Sequence, residues 1–282
     1  MEILVLEGNI AEVREHNRRL TGRTPGEAYA DVLQKLDPLV RCEILCPADR
    51  DDVGLDHLAR YRGVVITGSA LNAYQDIPPV QRQVKLALQI FESGLPFFGS
   101  CWGLQVAVVA AGGEVIRNER GREVGYSRAV QLTEAGRGHP MHVGRPQVFD
   151  TPAVHSDHVS RLPENAVVTA FNEVSEVQAL EIRHGNGVFW GVQYHPEFSL
   201  RDIAATLRRY GPRLIKEEGS FQTVDELETY ARNLEILEDM PDRKDIAWQY
   251  ALGADLLDPS RRQVEIRNWL DHCRREALRN AA

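Results

Sequence analysis

The chain has 282 residues, 43% of them hydrophobic and 26% charged, with a formal net charge of -8. This composition suits an ordered protein with a sizeable core, and the length allows one large domain or one domain with an appendage. The acidic balance argues against non-specific nucleic-acid binding, and the absence of any apolar run near the ~18 residues of a membrane span argues against a membrane protein.

Met1-Glu2-Ile3-Leu4-Val5-Leu6 has no basic region before its apolar run, which predicts a first strand at residues 3–8 and not a signal peptide. Residues 26–36 offer the first helix, 41–46 alternate like a second strand, and a short helical stretch is expected at 55–61. The third strand is expected at 63–67. Pro78 and Pro79 then open an amphipathic helix running to residue 91, since proline is tolerated in a first turn. Leu95-Pro96-Phe97-Phe98 is short, apolar and aromatic, as a central strand should be, and residues 104–111 read as a helix stopped by Gly112-Gly113. From 114 to 171 the pattern changes to short strands and turns rich in Gly, His and Pro. Residues 177–183 and 188–194 read as a hairpin whose turn, His184-Gly185-Asn186-Gly187, supplies positive φ. Residues 200–217 return to a helix. The order predicts an α/β fold, a doubly wound and mostly parallel sheet with an antiparallel excursion.

From Thr223 onward the chain reads as helices only. Leu227, Tyr230, Ala231 and Leu234 recur at i, i+3, i+4 and i+7, and Ile266, Trp269, Leu270 and Cys273 repeat the pattern. Residues 245–252 make a short helix between them, and Asp258-Pro259-Ser260 breaks the chain. The expected division is a catalytic domain over 1–219 and a helical accessory segment over 220–282. That segment could form a small bundle serving as a cap or docking element.

Gly99-Ser100-Cys101-Trp102-Gly103 places a thiol on the turn between a buried strand and a helix, with the spacing of a nucleophile elbow. A thiol at a helix N-terminus gains from the dipole and the free N–H groups, which favour the thiolate. A base is expected from Val192-Gln193-Tyr194-His195-Pro196-Glu197, at the C-terminal end of a strand, where open parallel sheets collect their sites. Proline after His195 biases it toward an extended backbone, and in an extended segment His195 and Glu197 face the same way, so the acid can orient the imidazole. The order Cys, His, Glu argues against an α/β-hydrolase, in which the acid precedes the histidine.

These runs resemble the class I (triad-type) glutamine amidotransferases and their γ-glutamyl hydrolase relatives. Gly99, Cys101, Gly103 and Gln105 match the G-x-C-x-G-x-Q run, and Val192 through Glu197 match V-Q-F/Y-H-P-E. Val64-Val65-Ile66-Thr67-Gly68-Ser69 is similar to the oxyanion strand and turn. His155-Ser156-Asp157-His158-Val159, followed by Leu162-Pro163, is similar to the stretch near the substrate site. The four motifs stand in the family's order and cover residues 1–217. The resemblance implies a flavodoxin-like fold and a Cys101–His195–Glu197 triad. It also implies oxyanion donors near Gly68 and at Trp102, and substrate contacts from Gln105, Asp157 and the backbone at 126–128. Neither cofactor nor metal is needed by this route. Thr67-Gly68-Ser69-Ala70 lacks the second glycine and the proline many members carry, so only Gly68 is transferred.

Blander readings stand beside these. Free cysteines are often buried structural thiols, which suits Cys42, Cys46 and Cys273, whereas the turn glycines set Cys101 apart. With no disulfide framework, the four cysteines suggest a reducing, cytoplasmic compartment. His139, His142, His155 and His158 invite a metal reading, against which stands the absence of a completing carboxylate set; hydrogen-bonded loop histidines are the simpler reading. Trp102 is expected in the pocket wall. The tail carries no Gly-rich phosphate loop of an ATP-using synthase domain. Three functions follow: a glutamine amidotransferase releasing ammonia to a separate synthase subunit, a self-sufficient γ-glutamyl amide or peptide hydrolase, and a catalytically silent binding module. The nucleotide-synthesis amidotransferases give the nearest motif match, which favours the first by association.

Overall fold

A computed structural model describes residues 1–49, 58–217 and 219–279. The helix expected at 55–61 lies mostly outside the described residues. In chain order the elements are β1 (Glu2–Leu6), α1 (Ala11–Thr21), α2 (Pro25–Leu36), β2 (Arg41–Leu45), β3 (Gly63–Ile66), α3 (Pro78–Ser93), β4 (Phe97–Ser100) and α4 (Trp102–Ala110). There follow β5 (Glu114–Arg117), β6 (Glu123–Leu132), α5 (Glu134–Arg137), β7 (Val148–His155), β8 (Asp157–Arg161), β9 (Ala166–Phe171), β10 (Ala179–His184) and β11 (Gly187–Val192). The chain closes with α6 (Leu200–Lys216), α7 (Val224–Asp239), α8 (Lys244–Gln249), α9 (Ala254–Leu257), α10 (Pro259–Arg262) and α11 (Val264–Arg279).

Nine strands form one sheet in the order β2-β1-β3-β4-β11-β10-β9-β6-β7, and β5 with β8 forms a separate ribbon. The neighbours from β2 to β11 are parallel, and those from β11 to β7 are antiparallel. Alternation along β1 sends Leu4 and Leu6 to one face, against α3 and α4, and Ile3 and Val5 to the other, against α2 and α11. The sheet is therefore wound on both sides, and its parallel half ends where the nucleophile turn begins.

The helix α1 is not among the elements expected from the sequence: it is amphipathic but strongly polar, and none of its residues is buried, so it lacks the apolar stripe of a core-facing helix. The residues after 219 divide between two cores, α7 to α9 clustering with α6 and α11 joining the sheet. Leu227, Ala231 and Leu234 of α7 pack with Leu200, Ile203 and Leu207 of α6, while Ile266, Trp269, Leu270 and Cys273 of α11 join the core on the sheet. Trp269 lies 5.8 Å from the Phe98 ring, and a Cβ at Gly63 would sit 2.7 Å from Cys273 Sγ. The stripe on α11 needed an apolar partner, and the open face beside α2 provides it.

Candidate active site

Cys101 sits between β4 and α4 at φ 51°, ψ -99°, a left-handed conformation that costs a non-glycine residue about 1–3 kcal/mol. The neighbours enforce it. A Cβ at Gly99 would lie 2.6 Å from the Gly103 carbonyl carbon, and one at Gly103 would lie 2.5 Å from the Ile66 carbonyl oxygen. Strand, turn and helix thus approach closely only because both positions are glycine. The Cys101 N–H donates to the Val192 carbonyl at 2.7 Å, tying the turn to β11. Trp102 opens α4, so its N–H lies outside the intrahelical ladder and is free for a ligand.

His195 stands three residues beyond the end of β11 and is buried. Its Nδ1 is 2.7 Å from Glu197 Oε1. The two side chains meet through a turn and not through the expected extended segment: the Phe198 N–H donates to the His195 carbonyl at 3.1 Å, closing a β-turn over Pro196 and Glu197. Phe198 stacks on the imidazole with centroids 4.0 Å apart, and the His195 N–H donates to the Pro152 carbonyl. Among the described residues Nε2 is left buried without a hydrogen-bond partner, as is Glu197 Oε2. Burial disfavours the imidazolium, but the Glu197 carboxylate and the neighbouring Cys101 outweigh it and push His195 up to about 10. The thiol donates to the Val154 carbonyl, 3.5 Å from Sγ, and stands near enough to the imidazole to raise it, although no well-aligned hydrogen bond reaches Nε2. Catalytic hydrogen bonds in ligand-free sites commonly lie slack in this way.

Cys101, Gly68, His195 and Glu197 line one cavity of about 100 Å³. Gly68 is where the imidazole needs room, since a Cβ there would lie 2.6 Å from His195 Cε1. The loop is pinned by residues that the sequence did not single out. Asn9 donates to Glu7 Oε1 and to the Gly68 carbonyl and accepts from the Ala70 N–H, and Thr67 Oγ1 donates to the same carbonyl. Glu7 is buried at the end of β1, also accepting from the Gly26 N–H; burial raises its carboxyl despite these donors. A polar Glu-Gly-Asn run directly after an apolar first strand, at the carboxyl edge of a parallel sheet, was the available signal.

Other expected residues lie elsewhere. Trp102 is not a pocket wall: its ring is fully buried behind the turn, donating from Nε1 to Gln83 Oε1 at 2.8 Å. Gln105 is buried and donates to Gln193 Oε1, and Asp157 accepts from Asn72 Nδ2 at 2.7 Å; neither borders the Cys101 cavity. Tyr126 and Arg128 border a different cavity, with Arg128 bonded to Asp150 and to carbonyls at 250 and 251. Three of the histidines that invited a metal reading are held chiefly by acids, not all of them in loops: His139 by Glu181, His155 at the end of β7 by Glu123, and His142 by Glu265 and Thr169. Among the described residues no cluster of metal-ligating side chains occurs, and no helix is long and apolar enough to cross a membrane. Cys273 is buried, its thiol raised by burial, and Cys42 is half-buried and pushed up to about 11 by the same cause.

Residues 30–209 match the family model described as glutamine amidotransferase class-I. The chain belongs to that family. It is an amide-hydrolysing enzyme of the class-I glutamine amidotransferases, and hydrolysis of a glutamine-type side-chain amide is its chemistry. A γ-glutamyl-L-1-hydroxyisopropylamide hydrolase of a Pseudomonas species is 39% identical over 275 residues, covering 96% of this chain and 92% of that one. A glutamine-hydrolysing GMP synthase of Thermomicrobium roseum is 30% identical over 65% of this chain, which spans only 32% of that relative's length. Crystal structures of amidotransferases from Methylobacillus flagellatus (TM-score 0.66, 96% of this chain and 94% of that one) and Thermotoga maritima (TM-score 0.59, 97% of each) share the fold at 18% identity.

Proposed function

We propose that this amidotransferase-family enzyme by itself hydrolyses N-substituted γ-glutamyl amides, with Cys101 as nucleophile, His195 as acid–base and Glu197 as its orienting acid. Cys101 gives its proton to His195 Nε2 and attacks as the thiolate: Sγ bonds to the γ-carbonyl carbon, and the oxygen takes up negative charge facing the N–H groups at Gly68 and Trp102. One such donor is typically worth ~2.7–4 kcal/mol. The C–N bond breaks as His195 Nε2 gives its proton to the departing nitrogen, and the amine leaves. Water then attacks the γ-glutamyl thioester, its proton passes to Nε2, the C–S bond breaks, and glutamate departs.

The observation that carries the reading is the His195 imidazole, held by Glu197 through Nδ1 and lining one cavity with Cys101. The near full-length relative with a hydrolase name supports a substituted amide as substrate. The partial match to GMP synthases favours a second reading, a glutaminase that passes ammonia to a separate synthase subunit. Purified protein incubated with glutamine and with N-alkyl γ-glutamyl amides separates the two. Glutamate and free amine from the substituted amides support the proposal. Ammonia from glutamine alone, stimulated by a synthase, supports the second reading, and no glutamate from any amide overturns both.

A further inference from the structure

Resting on the hydrolase reading, we propose that the amine half of the substrate carries a carboxylate several bonds from the scissile nitrogen, and that Arg209 receives it. The leaving nitrogen must face His195 Nε2, so the space on the His195 side of the sulfur belongs to the amine and not to the glutamyl group. That space continues between α1 and α6. Asp202, Ala205, Thr206 and Arg209 line it at i, i+3, i+4 and i+7, one helix face over two turns, rising about 10 Å from the His195 end. Leu20 of α1 and Ala205 give it an apolar lining suited to methylene groups. The whole cavity, its Cys101 end included, has a volume of about 100 Å³, several-fold the ~10–15 Å³ that one water requires.

The charges in this cavity point to the terminal group. Glu197 is matched by His195. Asp202 is bonded to the Ser199 N–H and paired with Arg23, which also meets Asp31. Arg209 differs: among the described residues it has no carboxylate within ion-pair range. Its Nη1 donates to Asn17 Oδ1 at 3.2 Å and its Nη2 to the Tyr210 hydroxyl at 3.5 Å, its guanidinium lies 4.9 Å from the Tyr210 ring centroid, and its Nε is buried with no hydrogen-bond partner among the described residues. A buried donor without an acceptor is costly, and a guanidinium matches a planar carboxylate with two parallel bonds. The substrate class is thus a γ-glutamyl conjugate of an amine ending in a carboxylate.

The test compares γ-glutamyl n-alkylamides with the ω-carboxyalkylamides of equal length, across a series of chain lengths. The wild type should prefer the carboxylate at one length, by about tenfold or more in kcat/KM. Arg209→Met should erase that preference and Arg209→Lys should keep part of it. An equal loss on neutral and carboxylate substrates in both variants would overturn the proposal, as would a preference that survives Arg209→Met. A wild type that cleaves both series equally removes this proposal and leaves the hydrolase reading standing. A wild type that cleaves neither removes both.

Discussion

Two buried acid-centred constellations sit one residue apart, on Tyr194 and His195, and they are finished differently. Glu265 of α11 has both oxygens occupied: Arg145 Nε and the Tyr194 hydroxyl donate to Oε1, with His142 Nδ1 3.4 Å away, and Arg145 Nη2 donates to Oε2. Arg145 spends its remaining donors on the carbonyls of Arg261 and Arg262 and lies over Phe149. Around His195 the pairing stops halfway, with Nε2 and Glu197 Oε2 orphaned and a strained cysteine nearby. A saturated buried network fixes structure, here clamping α11 onto the sheet, whereas an unsaturated one keeps bonding capacity for a ligand.

Substitutions can break this contrast. The largest expected effect is Cys101→Ala, which should lower amide hydrolysis by about 10⁴-fold or more while the far-ultraviolet spectrum and thermal midpoint hold. Robust glutamate release by that variant would refute the nucleophile role. Glu265→Gln should act in the opposite way, costing about 3–5 kcal/mol by leaving Arg145 buried and unpaired. Thermal unfolding measures it, and a midpoint equal to wild type would show that the clamp contributes nothing.

Arg145 foremost among its partners, against the opposing cost of burial, holds the Glu265 carboxyl down at about 2. Its folded value lies below the ordinary 4.5. The resulting stability is therefore complete above about pH 4.5 and is lost as the pH falls toward 2. An acid titration of stability should be shallower in Glu265→Gln over that window.

Gly68→Ala is expected to rank next. The added methyl meets His195 Cε1, and a displaced base should lower kcat/KM about 100-fold with little change in stability. Unaltered kinetics would place the imidazole elsewhere during turnover. The smallest and most diagnostic change is Glu197→Gln. Burial lowers the basicity of His195 and the Glu197 charge restores it, so removing the charge makes the imidazolium lose its proton at lower pH. The alkaline limb of kcat/KM should move down from about 10, by a unit or so, with a smaller rate loss than for Cys101→Ala. A limb that stays in place would separate Glu197 from the titration of His195.

Much of the site could be read from the chain because its determinants are local. Gly99 and Gly103 bracket Cys101 within one turn, and His195, Pro196 and Glu197 are consecutive, so spacing alone announces them. Even there the backbone route differed, a turn replacing an extended segment, because Pro196 fits the second position of a β-turn as readily as a strand. Spacing does not single out Glu7, Asn9 and Arg209, since each matters only through something far away in sequence, Gly68 for the first two and the cavity beside α1 for the last. The helix α1 presents no core-facing stripe because it buries no side chain, although it forms the wall opposite α6.

Local chemistry in the sequence determined the strained thiol, the histidine with its acid, the parallel strands that end beside them, and the apolar stripe of the last helix. Tertiary structure alone decided that this stripe covers the sheet and that Trp102 turns its ring into the core. It also decided that the cavity runs toward Arg209, which meets no carboxylate among the described residues, and not toward Gln105 and Asp157. Spacing along a chain encodes which groups one turn or one strand can bring together. Which surfaces then meet depends on burial summed over the whole molecule, and no single segment carries that sum.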